Sequence, residues 1–234
     1  MSEKDLVVAL LTADHGVVRA AVKGARGKTK RAAALQLLTE VAVTYFRREG
    51  ADLARVDSLE ILESSFPLTG RIETALLLPY MAESALTFVP EAELGGDVYR
   101  LVRHVLDALG AGAPADLAAR YFEVWLLKFA GLLPEESVCA ACGEPLAAGD
   151  VRLDPQIPGF VSRECAGREM LAVPAAARTL LRSIRRSRLT AWLDAGATRP
   201  REPELSAVDE LAREVRRRFL GHELKSYRFL KSLS

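Results

Sequence analysis

The chain has 234 residues, of which 50% are hydrophobic, so it is long enough to bury one large core or two modest ones. Its 32 basic residues nearly cancel its 31 acidic residues, so attraction to a polyanion must come from the distribution of charge and not from its total. No apolar run approaches the roughly 18 to 20 residues that cross a bilayer, and an odd number of cysteines argues against a disulfide framework, so we expect a cytoplasmic protein without membrane partners.

The first sixty or so residues have the pattern of a small β unit. A continuous apolar run over 6–11 and an alternating segment over 17–23 flank a turn at 14–16, which is typical of a hairpin. Two further strands are predicted over 39–48 and 53–63, because both segments are rich in β-branched, aromatic or other large apolar residues. The N-terminal unit is therefore expected to be mostly β.

Beyond Pro67 the spacing of apolar residues becomes helical. Helices are predicted over 72–88, 95–109, 115–133 and 206–220. Pro79 lies inside the first of them, and a proline lacks an N–H and crowds the carbonyl of Ala75, so we expect a kink or a break there. The larger part of the chain is therefore expected to be helical.

Residues 138–168 interrupt the helices with prolines and glycines, which do not support long regular elements. Cys139, Cys142 and Cys165 fit three positions of the zinc motif C-x2-C-x15–20-C-x2-C, and Ser162 stands where the remaining cysteine is expected. A serine hydroxyl is a poor zinc ligand because it stays protonated near neutral pH. The fourth ligand would be a water or one of these side chains: Asp150, Asp154, Glu164, His15, His104 and His222. The alternative is a decayed site with reduced thiols.

Three chemical roles for this cysteine segment are open. An open fourth position is a feature of catalytic zinc, although catalytic zinc also needs a carboxylate base and a cleft. A thioredoxin-like C-x2-C should follow a strand and open a helix, whereas this one follows a predicted helix end at Pro134. We therefore favour a structural zinc that staples a long loop.

A basic run in the β unit is the second candidate site. Residues 17–48 contain one acidic residue, Glu40, and these basic residues: Arg19, Lys23, Arg26, Lys28, Lys30, Arg31, Arg47 and Arg48. A phosphate backbone is the natural partner of such a stripe, and Tyr45 or Phe46 could stack on an unpaired base. The alternative is a solvated loop beside a sheet whose aromatic side chains point inward.

Arginines are also frequent in the C-terminal half: Arg178, Arg182, Arg185, Arg186, Arg188 and Arg216 to Arg218. Helical spacing places the first three on one face. A solvated helix face is the usual explanation of this pattern, and an anionic partner is the functional one.

Four segments, in this order, carry a resemblance to a known family: LLTADHGVVRAAVKGARG, WLLKFAGLLPEESVCAACGEPL, GFVSRECA and LKSYRFL. On these segments the sequence resembles the RecO family of DNA recombination and repair mediators over nearly its whole length. The resemblance implies an α+β fold, with a small N-terminal OB-like β-barrel over residues 1–66. A larger helical domain over 67–234 would follow, with a zinc-ribbon-like insertion at 138–168.

The resemblance also implies a function. Members of the family are not enzymes; they bind single- and double-stranded DNA, anneal complementary strands and, with RecR, help to load RecA onto DNA coated by SSB. The implied partners are DNA, RecR, the C-terminal tail of SSB and, indirectly, RecA, in the cytoplasm at the nucleoid. The basic run would be the DNA site, and Cys139, Cys142 and Cys165 would be ligands of a structural zinc.

Two departures from the family pattern lead to expectations. Relatives usually have an extra strand before the position of Glu3, so either the true start lies upstream of Met1 or the barrel lacks its first strand and exposes unpaired edges. The fourth cysteine of the family falls at Ser162, so the zinc site is expected to be structural and expendable. Two other functions stay open: a zinc-dependent enzyme that uses the three cysteines, and a protein-interaction module that uses the arginine faces.

Overall fold

A computed structural model describes residues 5–27, 30–89, 95–156, 158–194 and 200–232. Its first four strands form one sheet, in the order β1-β2-β4-β3. The strands are β1 (Leu6–Thr12), β2 (Gly16–Val22), β3 (Glu40–Phe46) and β4 (Ala54–Glu63). All four are predicted by the sequence, and their bounds differ from the predicted bounds by two residues at most.

Two antiparallel hairpins make up this sheet. In the first, Leu6 of β1 lies opposite Val22 of β2, and Thr12 lies opposite Gly16. β3 and β4 form the second hairpin, and β2 joins β4 in parallel at only two positions. The edges are β1 and β3, so within the described residues the OB-like unit is an open sheet and not a closed barrel.

One face of the sheet is buried and the other faces solvent. Val18, Ala20 and Val22 of β2 pack with buried residues of β4 in the core of the unit. Because successive side chains of a strand point to opposite faces, Arg19 and Arg55 lie on the outer face, where both are exposed. The alternation thus decides which residues of the sheet a ligand can reach.

The described helices are α1 (Lys30–Ala34), α2 (Ile72–Phe88), α3 (Gly96–Gly110), α4 (Ala115–Phe129), α5 (Ala175–Arg186), α6 (Leu189–Asp194), α7 (Glu202–Leu220) and α8 (Lys225–Ser232). A short 3₁₀ helix covers Phe66–Gly70. α2 is continuous through Pro79, so the helix does not break there. α4 ends four residues before its predicted end, and Gly131 follows with a left-handed φ of 69°. No helix in these ranges has the length and apolar character that a bilayer span requires.

The chain divides into two compact units, one formed by Met1–Ala111 with Leu224–Ser234 and the other by Gly112–Glu223. In the first unit, α2 packs against α8. In the second, α4 and α5 pack against α7. Three short strands of the second unit, β5 (Val151–Leu153), β6 (Phe160–Val161) and β7 (Leu171–Val173), form an antiparallel sheet in the order β6-β5-β7. These strands lie in and beside the cysteine segment.

The arginines of α7 are paired with carboxylates. Arg216 is buried, and its Nη1 lies 3.0 Å from Oε1 of Glu123, which is also buried. On the solvent side, Arg217 and Arg218 both pair with Glu214. The predicted solvated or partner-binding position is therefore wrong for Arg216, and Arg217 and Arg218 share one carboxylate, which compensates part of their charge.

Glu83 of α2 caps the start of α8. Its carboxylate accepts hydrogen bonds from the backbone N–H groups of Lys225 (3.2 Å) and Ser226 (2.7 Å), and from the hydroxyl of Ser226. Burial alone would raise the pKa of Glu83, but these hydrogen bonds outweigh it and hold the pKa below its ordinary value of 4.5. Tyr80 and Tyr227 add a ring contact with centroids 5.6 Å apart.

Replacing Glu83 by glutamine is expected to lower the stability of the protein by about 1 kcal/mol at neutral pH, because a neutral amide caps a helix less well than a carboxylate. A depressed pKa contributes stability that is present above the ordinary pKa of glutamate and is lost as the pH falls through the lower, folded value. The difference in melting temperature between wild type and Glu83→Gln should therefore shrink between pH 5 and about pH 3. Glu60→Gln, at an exposed position on β4 and away from any helix terminus, is the control. A difference that stays constant with pH would contradict this role.

Candidate metal centre and nucleic-acid interface

The three cysteines predicted to bind metal lie close together. The sulfurs of Cys139, Cys142 and Cys165 are all within 4.8 Å of one another. Tetrahedral zinc with Zn–S bonds of about 2.3 Å separates its sulfurs by about 3.8 Å, so these thiols fit three corners of such a site after a small adjustment. Cys139 is buried, Cys165 is half-buried and Cys142 is exposed.

Backbone hydrogen bonds shape the turn that presents the first two thiols. The N–H of Cys139 donates to the carbonyl of Glu144, and the N–H of Gly143 donates to the carbonyl of Cys139, both at 2.8 Å. The N–H of Ala140 donates to the carbonyl of Phe160 at 2.8 Å, which ties the turn to β6. The third thiol follows β6 by only four residues, so this tie brings it to the other two.

Ser162 contacts the cysteine cluster through its backbone N–H and its hydroxyl. Its backbone N–H donates to Sγ of Cys139 and its hydroxyl accepts from the N–H of Cys165, both at 3.3 Å. The bond from Ser162 lowers the pKa of Cys139 to about 6. For Cys142, the N–H of Glu144 lowers the pKa, but the two neighbouring thiols and burial raise it above its ordinary value. The thiolate form is therefore favoured at Cys139 and the neutral thiol at Cys142.

The side chains proposed as a fourth ligand do not join the cluster. Among the described residues, no carboxylate oxygen or imidazole nitrogen completes the group of three sulfurs. Asp150 accepts a hydrogen bond from the N–H of Ala175 at 2.9 Å, and Asp154 accepts one from the N–H of Gln156 at 2.7 Å. Both carboxylates thus cap backbone groups, and the described residues supply three metal ligands.

Arg178 anchors the cysteine segment to α5. It is 1% exposed. Its Nη1 donates to the carbonyls of Ala147 and Gly149, both at 2.7 Å, and its Nη2 donates to the carbonyl of Glu136 at 3.1 Å. The prediction that Arg178 lies on a solvated or ligand-binding helix face is therefore wrong, because its donors are turned inward onto the backbone on both sides of the first two cysteines.

Basic residues converge at one end of the N-terminal sheet. Ala21, near the end of β2, lies beside Arg55, near the start of β4, and Arg55 lies opposite Phe46, the last residue of β3. Lys23 follows β2, and Arg47 and Arg48 follow β3, so all of them emerge at this end. The sequence pattern does not show that β2 pairs with β4, so Arg55 was not among the predicted DNA-binding residues.

The loop after β2 is folded back onto the sheet. Lys30 and Arg31, predicted in a flexible loop, begin the short helix α1. The guanidinium of Arg31 donates to the carbonyls of Lys23 (2.9 Å) and Asp57 (3.1 Å), so it fixes the loop to β4. Arg26 is exposed in this loop, and Lys28 lies outside the described residues.

The two aromatic residues at the end of β3 point to opposite faces. Tyr45 is partly buried and packs against the core of the sheet, so Phe46 is favoured over Tyr45 as the ring that stacks on a base. Phe46 is 52% exposed and shares the outer face with Arg55, because residues paired across strands point the same way. Arg19 lies on this outer face too, two residues before Ala21.

This end of the sheet carries positive charge that is not neutralised internally. No carboxylate among the described residues lies within 4.0 Å of these side chains: Lys23, Arg26, Lys30, Arg47, Arg48 and Arg55. Glu49 and Asp52 lie in the turn between β3 and β4, and Asp5 accepts a hydrogen bond from the N–H of Gly24 at 3.2 Å, so basic residues outnumber carboxylates at this end without excluding them. The arrangement offers exposed cations and one exposed ring, which are the groups that bind a nucleic-acid strand.

Comparisons with known proteins agree with this architecture. The family profile described as "Recombination protein O N terminal" matches residues 1–65, and the one described as "Recombination protein O C terminal" matches residues 70–228. A protein of Anaeromyxobacter sp. (strain K) named "DNA repair protein RecO" is 35% identical over 95% of this chain and 86% of its own length. Proteins of the same name from Anaeromyxobacter sp. (strain Fw109-5) and Koribacter versatilis are 30% and 36% identical over 97% and 74% of this chain, and over 90% and 69% of their own lengths. The chain belongs to the recombination protein O family, and the predicted family is confirmed.

Proposed function

We propose that this chain is a DNA repair and recombination mediator that binds single- and double-stranded DNA at the basic end of its N-terminal sheet. The observation that carries the proposal is the convergence there of exposed cations from three strand ends, next to the exposed ring of Phe46. The residues proposed to contact DNA are Arg19, Lys23, Arg26, Lys28, Lys30, Arg31, Arg47, Arg48 and Arg55. Membership of the recombination protein O family supports the proposed function.

In this function the chain acts as a binding protein and not as an enzyme. It anneals complementary strands and, with RecR, helps to load RecA onto DNA coated by SSB, whose C-terminal tail is a partner, in the cytoplasm at the nucleoid. Residues 1–66 form the DNA-binding domain and residues 67–234 the second domain. The family profiles, which meet between residues 65 and 70, support this division.

The proposed contact is electrostatic and independent of base sequence. Cations along a strand neutralise phosphates and release counterions, which makes the affinity fall steeply with salt. Phosphate contacts position a strand without reading its bases, as a protein that anneals any pair of complementary strands requires. Stacking on Phe46 adds a contribution that depends little on salt.

A zinc ion, held by Cys139, Cys142 and Cys165, is proposed as a structural part of the second unit. When bound, the ion would cross-link the turn that carries Cys139 to the loop that carries Cys165. Arg178 anchors the same segment without metal, which supports a site that is structural and expendable.

The DNA site is tested by replacing Lys30, Arg47 and Arg48 by alanine. The triple variant should bind single strands of any sequence more weakly, and the slope of log K against log salt should become shallower by about 0.7 per lost contact, or about 2 in all. Fluorescence anisotropy with a labelled oligonucleotide, measured between about 50 and 200 mM salt, gives both quantities.

The matched control removes the same charge from the other compact unit by Arg168→Ala, Arg186→Ala and Arg188→Ala, at three exposed positions. A Phe46→Leu variant should lose affinity by a factor that does not change with salt. If the triple variant melts like wild type and keeps both affinity and slope, or if the control loses as much, the DNA site is not at this end of the sheet.

A further inference from the structure

The hairpin of β3 and β4 carries opposite charge at its two ends. Arg47, Arg48 and Arg55 lie near the turn that joins the strands. At the other end, Glu40 lies directly opposite Glu63. Because DNA is a polyanion, the acidic end repels it and stays accessible to another partner while DNA is bound.

A cavity of about 130 Å³ opens at the acidic end. Its walls include the apolar side chains of Leu38, Leu68 and Leu106, and its charged lining is three carboxylates and one cation: Glu40, Glu63, Asp107 and Arg103. Pockets that bind drug-sized ligands are about 300 Å³ or larger, so this one has room for a single side chain. We refer to it as the Glu63 cavity.

The wall of the Glu63 cavity is preformed. Leu38 has a left-handed φ of 56°, which costs a non-glycine residue on the order of 1 kcal/mol and persists only where its surroundings enforce it. The hydroxyl of buried Ser65 donates to the carbonyl of Leu37 at 2.6 Å and lies 3.2 Å from the hydroxyl of Thr39. These bonds fix the chain on both sides of Leu38.

The negative charge at the cavity is only partly compensated. Glu40 lies 3.3 Å from the guanidinium of Arg103 and accepts a 2.6 Å hydrogen bond from the hydroxyl of Tyr99. Glu63 and Asp107 are exposed, and in the described part of the chain neither has a cation within 4.0 Å. A partner that brings a cation to this rim gains two carboxylate contacts.

Three large apolar side chains that are exposed lie next in the chain to residues of the cavity wall. Leu37, Leu62 and Phe66 are 46%, 61% and 63% exposed, and each is adjacent in the chain to a residue of the cavity wall. The segments that form the cavity wall therefore also leave large apolar side chains exposed to solvent.

We propose that the Glu63 cavity binds a segment of another protein that inserts one apolar side chain and places a lysine or arginine beside Glu63 and Asp107. The apolar wall selects the inserted side chain, and the two carboxylates select the flanking positive charge. This surface lies at the end of the hairpin away from the proposed DNA site, so one chain can hold DNA and the protein segment together.

The probes are fluorescent peptides Lys-Lys-Leu-Lys-Lys, Lys-Lys-Gly-Lys-Lys and Glu-Glu-Leu-Glu-Glu, added to the full chain and followed by anisotropy. The first should bind, the second should bind at least about fivefold more weakly because it lacks the apolar side chain, and the third should not bind. Glu63→Gln with Asp107→Asn should weaken the first peptide at least about fivefold. Glu202→Gln with Glu210→Gln removes the same charge from exposed positions in the other unit and should change nothing.

Equal binding of the leucine and glycine peptides, or an equal loss in both double variants, would overturn the proposal in favour of general charge attraction. Leu106→Ala, which shortens a partly buried side chain of the cavity wall, is a second variant that should weaken the leucine peptide more than the glycine peptide. Self-association in sedimentation that Glu63→Gln with Asp107→Asn abolishes would assign the cavity to a second copy instead. DNA affinity should be unchanged in all these variants, so failure here leaves the proposed function standing.

Discussion

Replacing Ser162 by cysteine is expected to raise the affinity for Zn²⁺ about 100-fold. A structural zinc site of four ligands contributes about 10 to 16 kcal/mol, so one added thiolate is worth roughly 3 kcal/mol. The position is suitable because the backbone N–H of Ser162 already lies 3.3 Å from Sγ of Cys139. Competition against a chromophoric chelator measures the change, and metal analysis should find at most about one zinc per chain in both proteins.

Ser206→Cys is the matched control, since it adds a thiol at an exposed position of α7 and should leave zinc affinity unchanged. Cys139→Ser with Cys142→Ser should abolish zinc retention. If that double variant retains as much zinc as wild type, the three cysteines are not the ligands. If Ser162→Cys gains nothing, the hydroxyl does not occupy the missing corner.

Replacing Arg178 by methionine is expected to destabilise the second unit by about 3 kcal/mol or more. The change removes the guanidinium donor from the carbonyls of Glu136 and Gly149, while the carbonyl of Ala147 keeps the N–H of Gly149. Each buried polar group left unsatisfied costs about 1 to 3 kcal/mol. Methionine is flexible and nearly as long, so it limits the cavity that the change creates. The measurement is urea unfolding followed by tryptophan fluorescence, since Trp125 and Trp192 both belong to this unit.

Arg186→Met, at an exposed position on the same helix, controls for the loss of a charge and should change stability by less than about 0.5 kcal/mol. Arg178→Lys should recover only part of the loss, because one ammonium cannot reproduce the planar fork that reaches three carbonyls. A methionine variant as stable as wild type would show that the loop does not depend on this anchor.

Local patterns were enough to predict the strands of the N-terminal sheet. Alternation of apolar residues and the turn at 14–16 depend on neighbouring residues, so the hairpin of β1 and β2 could be read directly. Spacing also located the three cysteines, because a zinc knuckle is a local motif. The family resemblance added the order of the domains.

Residues whose role depends on distant contacts could not be predicted in the same way. The parallel pairing of β2 with β4 brings Arg55 to the basic end, and a pattern along one strand does not reveal its neighbour. Helical spacing placed Arg178 on a face with two other arginines, but it could not show that a loop some thirty residues earlier covers that face. Tyr45 and Phe46 were indistinguishable until the inward face of β3 was known.

The return of α8 to the first compact unit has a consequence for synthesis on the ribosome. The second unit is continuous in sequence and can fold as soon as residue 223 has emerged, whereas the first needs both residues before 111 and residues after 224. At about 5 to 20 residues per second, the sheet waits on the order of ten seconds for its last helix. During that time Tyr80 and the rest of the α2 surface that packs against α8 are uncovered, so nascent chains of this protein should depend on chaperones for longer than its size alone would require.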